Sequence, residues 1–259
     1  MTNPRGYGPW AVVAGASEGI GAAFATALAR DGVNVVLAAR RPAPLDSLAA
    51  HLRESHHVDA RPVAVDLATE DGVDELTAAC AALEVGLVVV NAAYAPIGRF
   101  LDRDEAHLVR AITLNCVTPV RLVHRFAPTM VERGRGGIIV MSSLAGQQGS
   151  PGITTYSATK AFGAVLAEGL WAELRGTGVD VVACVAGAVS TPGLAQAKQR
   201  RAPGTVAPDV VAAAALRALG HGPRVVPGGL MKVSSVLTSR LMPKRAAIAL
   251  IAKASSDLS

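Results

Sequence analysis

Ala14-Gly15-Ala16-Ser17-Glu18-Gly19-Ile20-Gly21 joins an apolar run, Trp10 to Ala14, to a segment with apolar residues at three- and four-residue spacing, Ile20 to Asp31. A glycine-rich turn between a strand and a helix can bring backbone N–H groups against a phosphate, because a helix N-terminus carries unsatisfied donors and the positive pole of the helix. The spacing G-x-x-x-G-x-G differs from the common G-x-G-x-x-G, so its meaning rests on the strand-turn-helix context. That context is present, although an ordinary glycine-rich turn is the other reading of this segment taken alone.

Outward from this turn, short apolar runs alternate with longer helical patterns, which implies a parallel sheet covered by helices on both faces. The strand-length runs are Trp10 to Ala14, Val33 to Ala38, Ala60 to Val65, Leu87 to Val90, Gly137 to Met141, Val179 to Val185 and Arg224 to Val226, and all but the last read as buried. Helical spacing covers Ile20 to Asp31, Leu45 to His56, Glu70 to Leu83, Arg103 to Val131 and Thr154 to Arg175, with Gly32 and Gly176 placed as left-handed stops. The expectation is one doubly wound α/β domain over residues 1–259, built on a central parallel seven-stranded sheet.

Composition sets the outer limits. Hydrophobic residues make up 51% and charged residues 17%, enough apolar surface for a large core and too little charge for a disordered chain. The net charge of +5 is spread along the chain and not gathered in a tail, so nucleic acid is not an expected partner. Cys80, Cys116 and Cys184 lie far apart, which supports neither a disulfide framework nor a metal cluster and fits a reducing cytoplasm. The polar segment Met1 to Pro9 lacks a signal-peptide core, and no uninterrupted apolar run approaches the roughly 18 residues of a membrane span.

At the end of the second strand, Leu37-Ala38-Ala39-Arg40-Arg41 bears on the choice of dinucleotide. In doubly wound folds this strand end meets the adenosine ribose, where an acid would accept from a free 2′-hydroxyl. Here Arg40 offers a guanidinium that can fork onto a 2′-phosphate, so NADP(H) is preferred over NAD(H); solvated loop charges are the other reading of Arg40 and Arg41. Asp66-Leu67, after the third strand, offers an acceptor for an adenine amino group, while an Asp there also suits the cap of a following helix. Asn91-Ala92-Ala93 ends the fourth strand with small residues against which a cofactor can lie.

Tyr156-Ser157-Ala158-Thr159-Lys160 begins the long helix after the fifth strand, and four-residue spacing puts Tyr156 and Lys160 on one face. A free phenol has a pKa of about 10, and a buried ammonium beside it is expected to lower that value toward working pH. Tyr156 can then give a proton to a carbonyl oxygen or take one from an alcohol. Met141-Ser142-Ser143 closes the fifth strand at the edge where such sheets bind ligands, and the Ser143 hydroxyl can hold the same oxygen. Asn115 is a mediocre helix former inside a helical stretch; its amide either fixes a water beside Lys160 or is satisfied by its own backbone.

Together these residues resemble the short-chain dehydrogenase/reductase family, and the resemblance runs from about Trp10 to Thr191. It implies a Rossmann domain in which Gly15, Ser17, Glu18, Gly19, Ile20 and Gly21 surround the pyrophosphate. It further implies that Arg40, Asp66, Leu67, Asn91, Ala92 and Ala93 border the cofactor, that Gly187, Val189 and Thr191 hold the nicotinamide end, and that Lys160 binds the nicotinamide ribose beside Tyr156. Asn115, Ser143, Tyr156 and Lys160 form the implied catalytic set, and no metal is expected. The implied activity is hydride transfer between NADPH and a carbonyl or secondary alcohol, in an oxidoreductase of the ketoreductase kind. Three departures stand out. The family's Asn-Asn-Ala-Gly is Val90-Asn91-Ala92-Ala93, its Pro-Gly after the sixth strand is Ala186-Gly187, and its threonine before the first glycine is Ala14.

Residues 188–208 carry glycine, proline and the basic run Lys198-Gln199-Arg200-Arg201, as expected of a substrate lid. Beyond Gly228 an apolar extension, 229–259, offers to cap a lipophilic substrate, pack in a homodimer or homotetramer, or lie on a membrane surface with Lys244, Arg245 and Lys253 toward head groups. The expected substrate is a lipophilic ketone, steroid-like, polyketide or 3-oxoacyl, the last weakly supported by Arg121 and Arg125. A non-catalytic NADP-binding regulator or sensor on the same fold is the alternative.

Overall fold

The computed structural model describes residues 4–190, 204–237 and 242–254. Its first half runs β1 (Trp10–Ala14), α1 (Gly19–Arg30), β2 (Asn34–Ala39), α2 (Pro42–His56), β3 (Ala60–Ala64), α3 (Gly72–Ala79) and β4 (Val85–Val90). The second half runs α4 (Glu105–Ile112), a π-turn (Thr113–Val117), α5 (Thr118–Glu132), β5 (Gly136–Ser143), α6 (Thr154–Glu173), β6 (Val179–Ala186), α7 (Pro208–Ala218) and β7 (Arg224–Val225). Two helices close the described chain, α8 (Gly229–Val236) and α9 (Lys244–Ala254).

All seven strands pair in parallel, in the order β3-β2-β1-β4-β5-β6-β7. The chain steps outward from β1 through β2 to β3, then returns to lay β4 on the other side of β1. Connections leaving β1 and β4 therefore diverge, and a crevice opens at their carboxyl ends. This is the expected doubly wound, Rossmann-like architecture. Along β1 successive side chains enter opposite layers: Ala11 and Val13 join a core with Phe24 and Leu28 of α1, whereas Val12 and Ala14 join one with Leu76 of α3 and Leu122 of α5. Both faces of the central strands are dry, which is why they read as nearly continuous apolar runs.

Local differences from the sequence expectation have identifiable causes. The third strand is not buried: β3 is the sheet edge, with Arg61 and Ala64 exposed, and there Pro62 costs no ladder bond on the open side. The helix expected over 70–83 shortens to Gly72–Ala79 because the amides of Cys80 and Ala81 turn back to Thr77 and Ala78, three residues away, and break the α pitch. The single helix expected over 103–131 contains a π-turn centred on Asn115, where the Thr118 amide reaches Thr113 five residues back. Gly32 and Gly176 do adopt left-handed φ, +74° and +82°.

One steric constraint brings the first turn against the first helix. A Cβ on Gly21 would collide with the carbonyl oxygen of Gly15, and one on Gly15, whose φ is +83°, would sit 2.7 Å from the Ala92 Cα. Gly21→Ala should therefore destabilise the fold by about 1–3 kcal/mol through forced separation of α1 from the turn. A urea denaturation midpoint for this variant equal to that of the parent protein would contradict so tight a contact.

Candidate active site

The crevice between β1 and β4 leads into a cavity of about 530 Å³ lined by the first turn, the ends of β2 and β3, the segment after β4, and α4. Of the residues expected at a cofactor, Gly15, Ser17, Glu18, Gly19, Ile20, Arg40, Asp66, Leu67, Asn91, Ala92 and Ala93 all line it. Gly21 instead packs beneath the turn, allowing the approach just described. The amides of Gly15 and Ala16 both donate to the Ala38 carbonyl, so they hold the turn against β2 and are not presented to a ligand. The donors left for an anion are those of the first turn of α1, whose N-cap residue Glu18 makes no side-chain cap. A helix opening without a cap, under glycines that leave no room for Cβ atoms, fits a diphosphate.

Charges around the cavity are sorted. Arg41 pairs with Glu18 at 2.7 Å and Arg110 pairs with Asp66 at 2.6 Å, while Arg40 is exposed and has no ion pair among the described residues. Asp66 is not the cap of α3, which starts at Gly72; its Oδ1 accepts from the Ala68 amide in a local turn. Burial pushes the Asp66 carboxyl upward, but the Arg110 hydrogen bond, the Ala68 amide and the charges of Arg110 and Arg40 outweigh it and hold it below the usual carboxylate value. Arg110 and Tyr94 also line the cavity and were not singled out in the sequence. Arg110 sits 44 positions from its partner, and no local pattern announces such a contact.

The chemical end is assembled by β5 and α6. Lys160 is buried, and its Nζ donates to the Met141 carbonyl at 2.9 Å; the Ser142 hydroxyl returns a bond to the Lys160 carbonyl at 2.6 Å. The Lys160 ammonium lies 5.6 Å from the Tyr156 ring centroid, and Tyr156 is hydrogen-bonded to Ser143. Gly146, in the turn after Ser143, lets this loop lie against α6: a Cβ there would stand 2.6 Å from the Ala161 amide nitrogen. Asn115, within the π-turn, accepts from the Tyr94 amide through Oδ1 and donates to the Tyr94 carbonyl and the Thr159 hydroxyl, each within 2.9 Å. Its partners are thus a distant main chain and the residue before Lys160, and not its own backbone.

Protonation differs from the sequence expectation. Burial raises the pKa of Tyr156, and the Ser143 hydrogen bond offsets this only in part, so the phenol stays protonated at neutral pH. Desolvation of the phenol outweighs the expected lowering by Lys160, and burial also disfavours the ammonium, bringing Lys160 down to about 8.

Gly187 lies at the end of β6 under Met231 of α8, whose Sδ a Cβ would meet at 2.5 Å. Val189 is buried and bridges Val206, so the two ends of the expected lid are joined at a neck. Thr191 and the basic run Lys198 to Arg201 lie outside the described residues. Arg121 and Arg125 do not face a ligand: both pair with Asp74 and tie α5 to α3.

A family model for short chain dehydrogenases matches residues 9–202. The chain belongs to the short-chain dehydrogenase family. Human very-long-chain 3-oxoacyl-CoA reductase is 37% identical over 180 residues, a match that takes in 68% of this chain and 58% of that relative, less than two thirds of its length. The 7beta-hydroxysteroid dehydrogenase of Mediterraneibacter gnavus is 32% identical over 194 residues, with 75% and 74% covered. A solved structure from work on 7beta-hydroxysteroid dehydrogenase stereoselectivity superposes with a TM-score of 0.91 at 28% identity, covering 97% of this chain and 99% of that one. A short-chain dehydrogenase from Sphingobium yanoikuyae in complex with NADPH gives 0.80 at 30% identity, covering 90% and 96%.

For this short-chain dehydrogenase the state of Lys160 has a measurable consequence. From about 8 up to the ordinary lysine value of 10.5, the unfolded chain binds more protons at this residue than the folded one. Stability contributed through Lys160 therefore rises with pH across that window. Lys160→Met should flatten the rise in urea midpoint that the parent protein shows there; parallel curves for the two proteins would contradict the depressed value.

Proposed function

We propose that the protein is an NADPH-dependent reductase of lipophilic ketones, a reading carried by the contact of Tyr156 with Ser143 and Lys160 beside a dinucleotide-sized cavity. The NADPH-bound neighbour and Arg40, exposed and without an ion pair among the described residues, support the cofactor. In this reading Arg40 receives the 2′-phosphate, the opening turn of α1 the pyrophosphate, and Asp66 the adenine amino group.

Bound NADPH supplies a hydride to the carbonyl carbon. Ser143 holds the carbonyl oxygen by donating a hydrogen bond, and Tyr156 delivers the proton to that oxygen as its π-bond electrons become the new O–H bond. A phenol kept protonated by burial is the form that reduction requires. The Lys160 ammonium opposes the negative charge left on Tyr156, and Asn115 positions Thr159 and hence the start of α6. Expected substrates are steroid-like or 3-oxoacyl ketones, in line with the relatives' names.

In this reading the described ends of the lid, 188–190 and 204–208, and α8 lie on the substrate side of the same domain. Support comes from the packing of Met231 on Gly187 and from the Gln147 bond to the Ser235 hydroxyl, which bring α8 over the Ser143 loop. This favours a cap over membrane contact, and no described helix is long and apolar enough to cross a membrane. Three free thiols fit a reducing cytoplasm. Exposed Val109, Ile112, Val120, Phe162 and Val165 on the adjoining α4, α5 and α6 support a homodimer.

Purified protein with NADPH and a panel of bulky ketones should lose nicotinamide absorbance, and Tyr156→Phe should reduce turnover by at least about a thousandfold while leaving NADPH binding near the parent value. Retained turnover in that variant would remove Tyr156 as proton donor, whereas a sensor would keep its biological effect without Tyr156. Arg40→Ala should weaken NADPH binding about tenfold more than NADH binding, the scale of a lost charge-assisted contact. Equal losses would refute the 2′-phosphate assignment.

A further inference from the structure

Five charged side chains line the cavity, Glu18, Arg40, Arg41, Asp66 and Arg110. Two pairs form, Glu18 with Arg41 and Asp66 with Arg110, and Arg40 is the cation left over among the described residues. That sorting is not the one local geometry favours. Arg40 directly follows β2 and Asp66 follows β3, and these strands are neighbours in register, with Ala39 opposite Ala64 and the Val65 amide donating to the Ala39 carbonyl at 2.9 Å. Arg40 and Asp66 are thus two chain ends emerging side by side with opposite charges. Asp66 nonetheless bonds to Arg110, which comes from α4 on the far side of the crevice.

We propose that Arg110 is a positioning residue for nucleotide selection: by holding the Asp66 carboxylate it keeps that carboxylate from pairing with Arg40, and so leaves the Arg40 guanidinium for the 2′-phosphate of NADPH. The inference rests on the assignment of Arg40 to the 2′-phosphate made above. Asp66 Oδ1 is held by the Ala68 amide and Oδ2 by Arg110 at 2.6 Å, so both oxygens are fixed. Without Arg110 a half-buried carboxylate loses its counter-charge, and its neighbouring cation is Arg40. A carboxylate turned onto Arg40 competes with the 2′-phosphate for the guanidinium and repels it as a like charge. NADH carries no 2′-phosphate and escapes both penalties, so the effect falls on selectivity and not on nucleotide binding in general.

Dissociation constants for NADPH and NADH, measured by nicotinamide fluorescence without ketone, test this in the parent protein, Arg40→Ala, Arg110→Gln, Arg110→Lys and the double variant Arg110→Gln with Asp66→Asn. Arg110→Gln should lower the NADPH preference about fivefold, the upper range for a partly exposed charge pair. Arg110→Lys should keep most of the preference, and Asp66→Asn in the Arg110→Gln background should restore it, because the competing charge is gone. Arg110→Met, which keeps the aliphatic stem, replaces Arg110→Gln if that variant does not fold. Equal loss of both nucleotides, or a lost preference that Asp66→Asn does not rescue, overturns the proposal and leaves Arg110 a structural clamp. If Arg40→Ala leaves the preference unchanged, the assignment of Arg40 fails first and this inference with it.

Discussion

Asn115 Nδ2 donates to the Tyr94 carbonyl and to the Thr159 hydroxyl, while its Oδ1 accepts from the Tyr94 amide. Through one buried amide the segment leaving β4, which lines the dinucleotide cavity, is joined to the turn of α6 that carries Tyr156 and Lys160. Buried polar groups left without partners cost about 1–3 kcal/mol each, so the three bonds hold both segments to one geometry. The π-turn is how the chain accommodates this: an extra residue in the turn places Asn115 at the right height without ending the helix. Thr118 reinforces it, its hydroxyl bonded to the Leu67 carbonyl beyond β3.

Around that link the site separates charge from proton. The cavity half holds its acids as ion pairs and, among the described residues, leaves Arg40 exposed without one, a surface suited to a polyanion. The chemical half is drier, and burial acts on both members of the pair in the same sense: it keeps the Tyr156 phenol neutral and weakens the Lys160 ammonium. The proton therefore rests on Tyr156 at neutral pH, which is the form a proton donor to a carbonyl oxygen must start from.

Around Ser143 and the end of β6, glycines permit close contacts. Gly146 lets the Ser143 loop touch α6, Gly187 gives space to Met231, and Val189 bridges Val206. Relatives named for steroid and very-long-chain acyl substrates match over much of this chain, and α8 presents exposed Leu230, Val233 and Val236.

What the amino-acid sequence determined by itself is whatever depends on near neighbours. Strand periodicity, the glycine turn at 15–21, the left-handed stops at Gly32 and Gly176 and the four-residue spacing of Tyr156 and Lys160 are local, and each is legible because backbone sterics and helix pitch act over a few residues. Tertiary structure decided what requires segments far apart to meet. It alone placed β3 at the sheet edge, put Arg110 on Asp66, sent Arg121 and Arg125 to Asp74, and bonded Asn115 to Tyr94 and Thr159. It also reversed the expected shift of Tyr156, because the sequence displays the charge of a nearby lysine but not how far the phenol is withdrawn from water, and desolvation is the larger effect there.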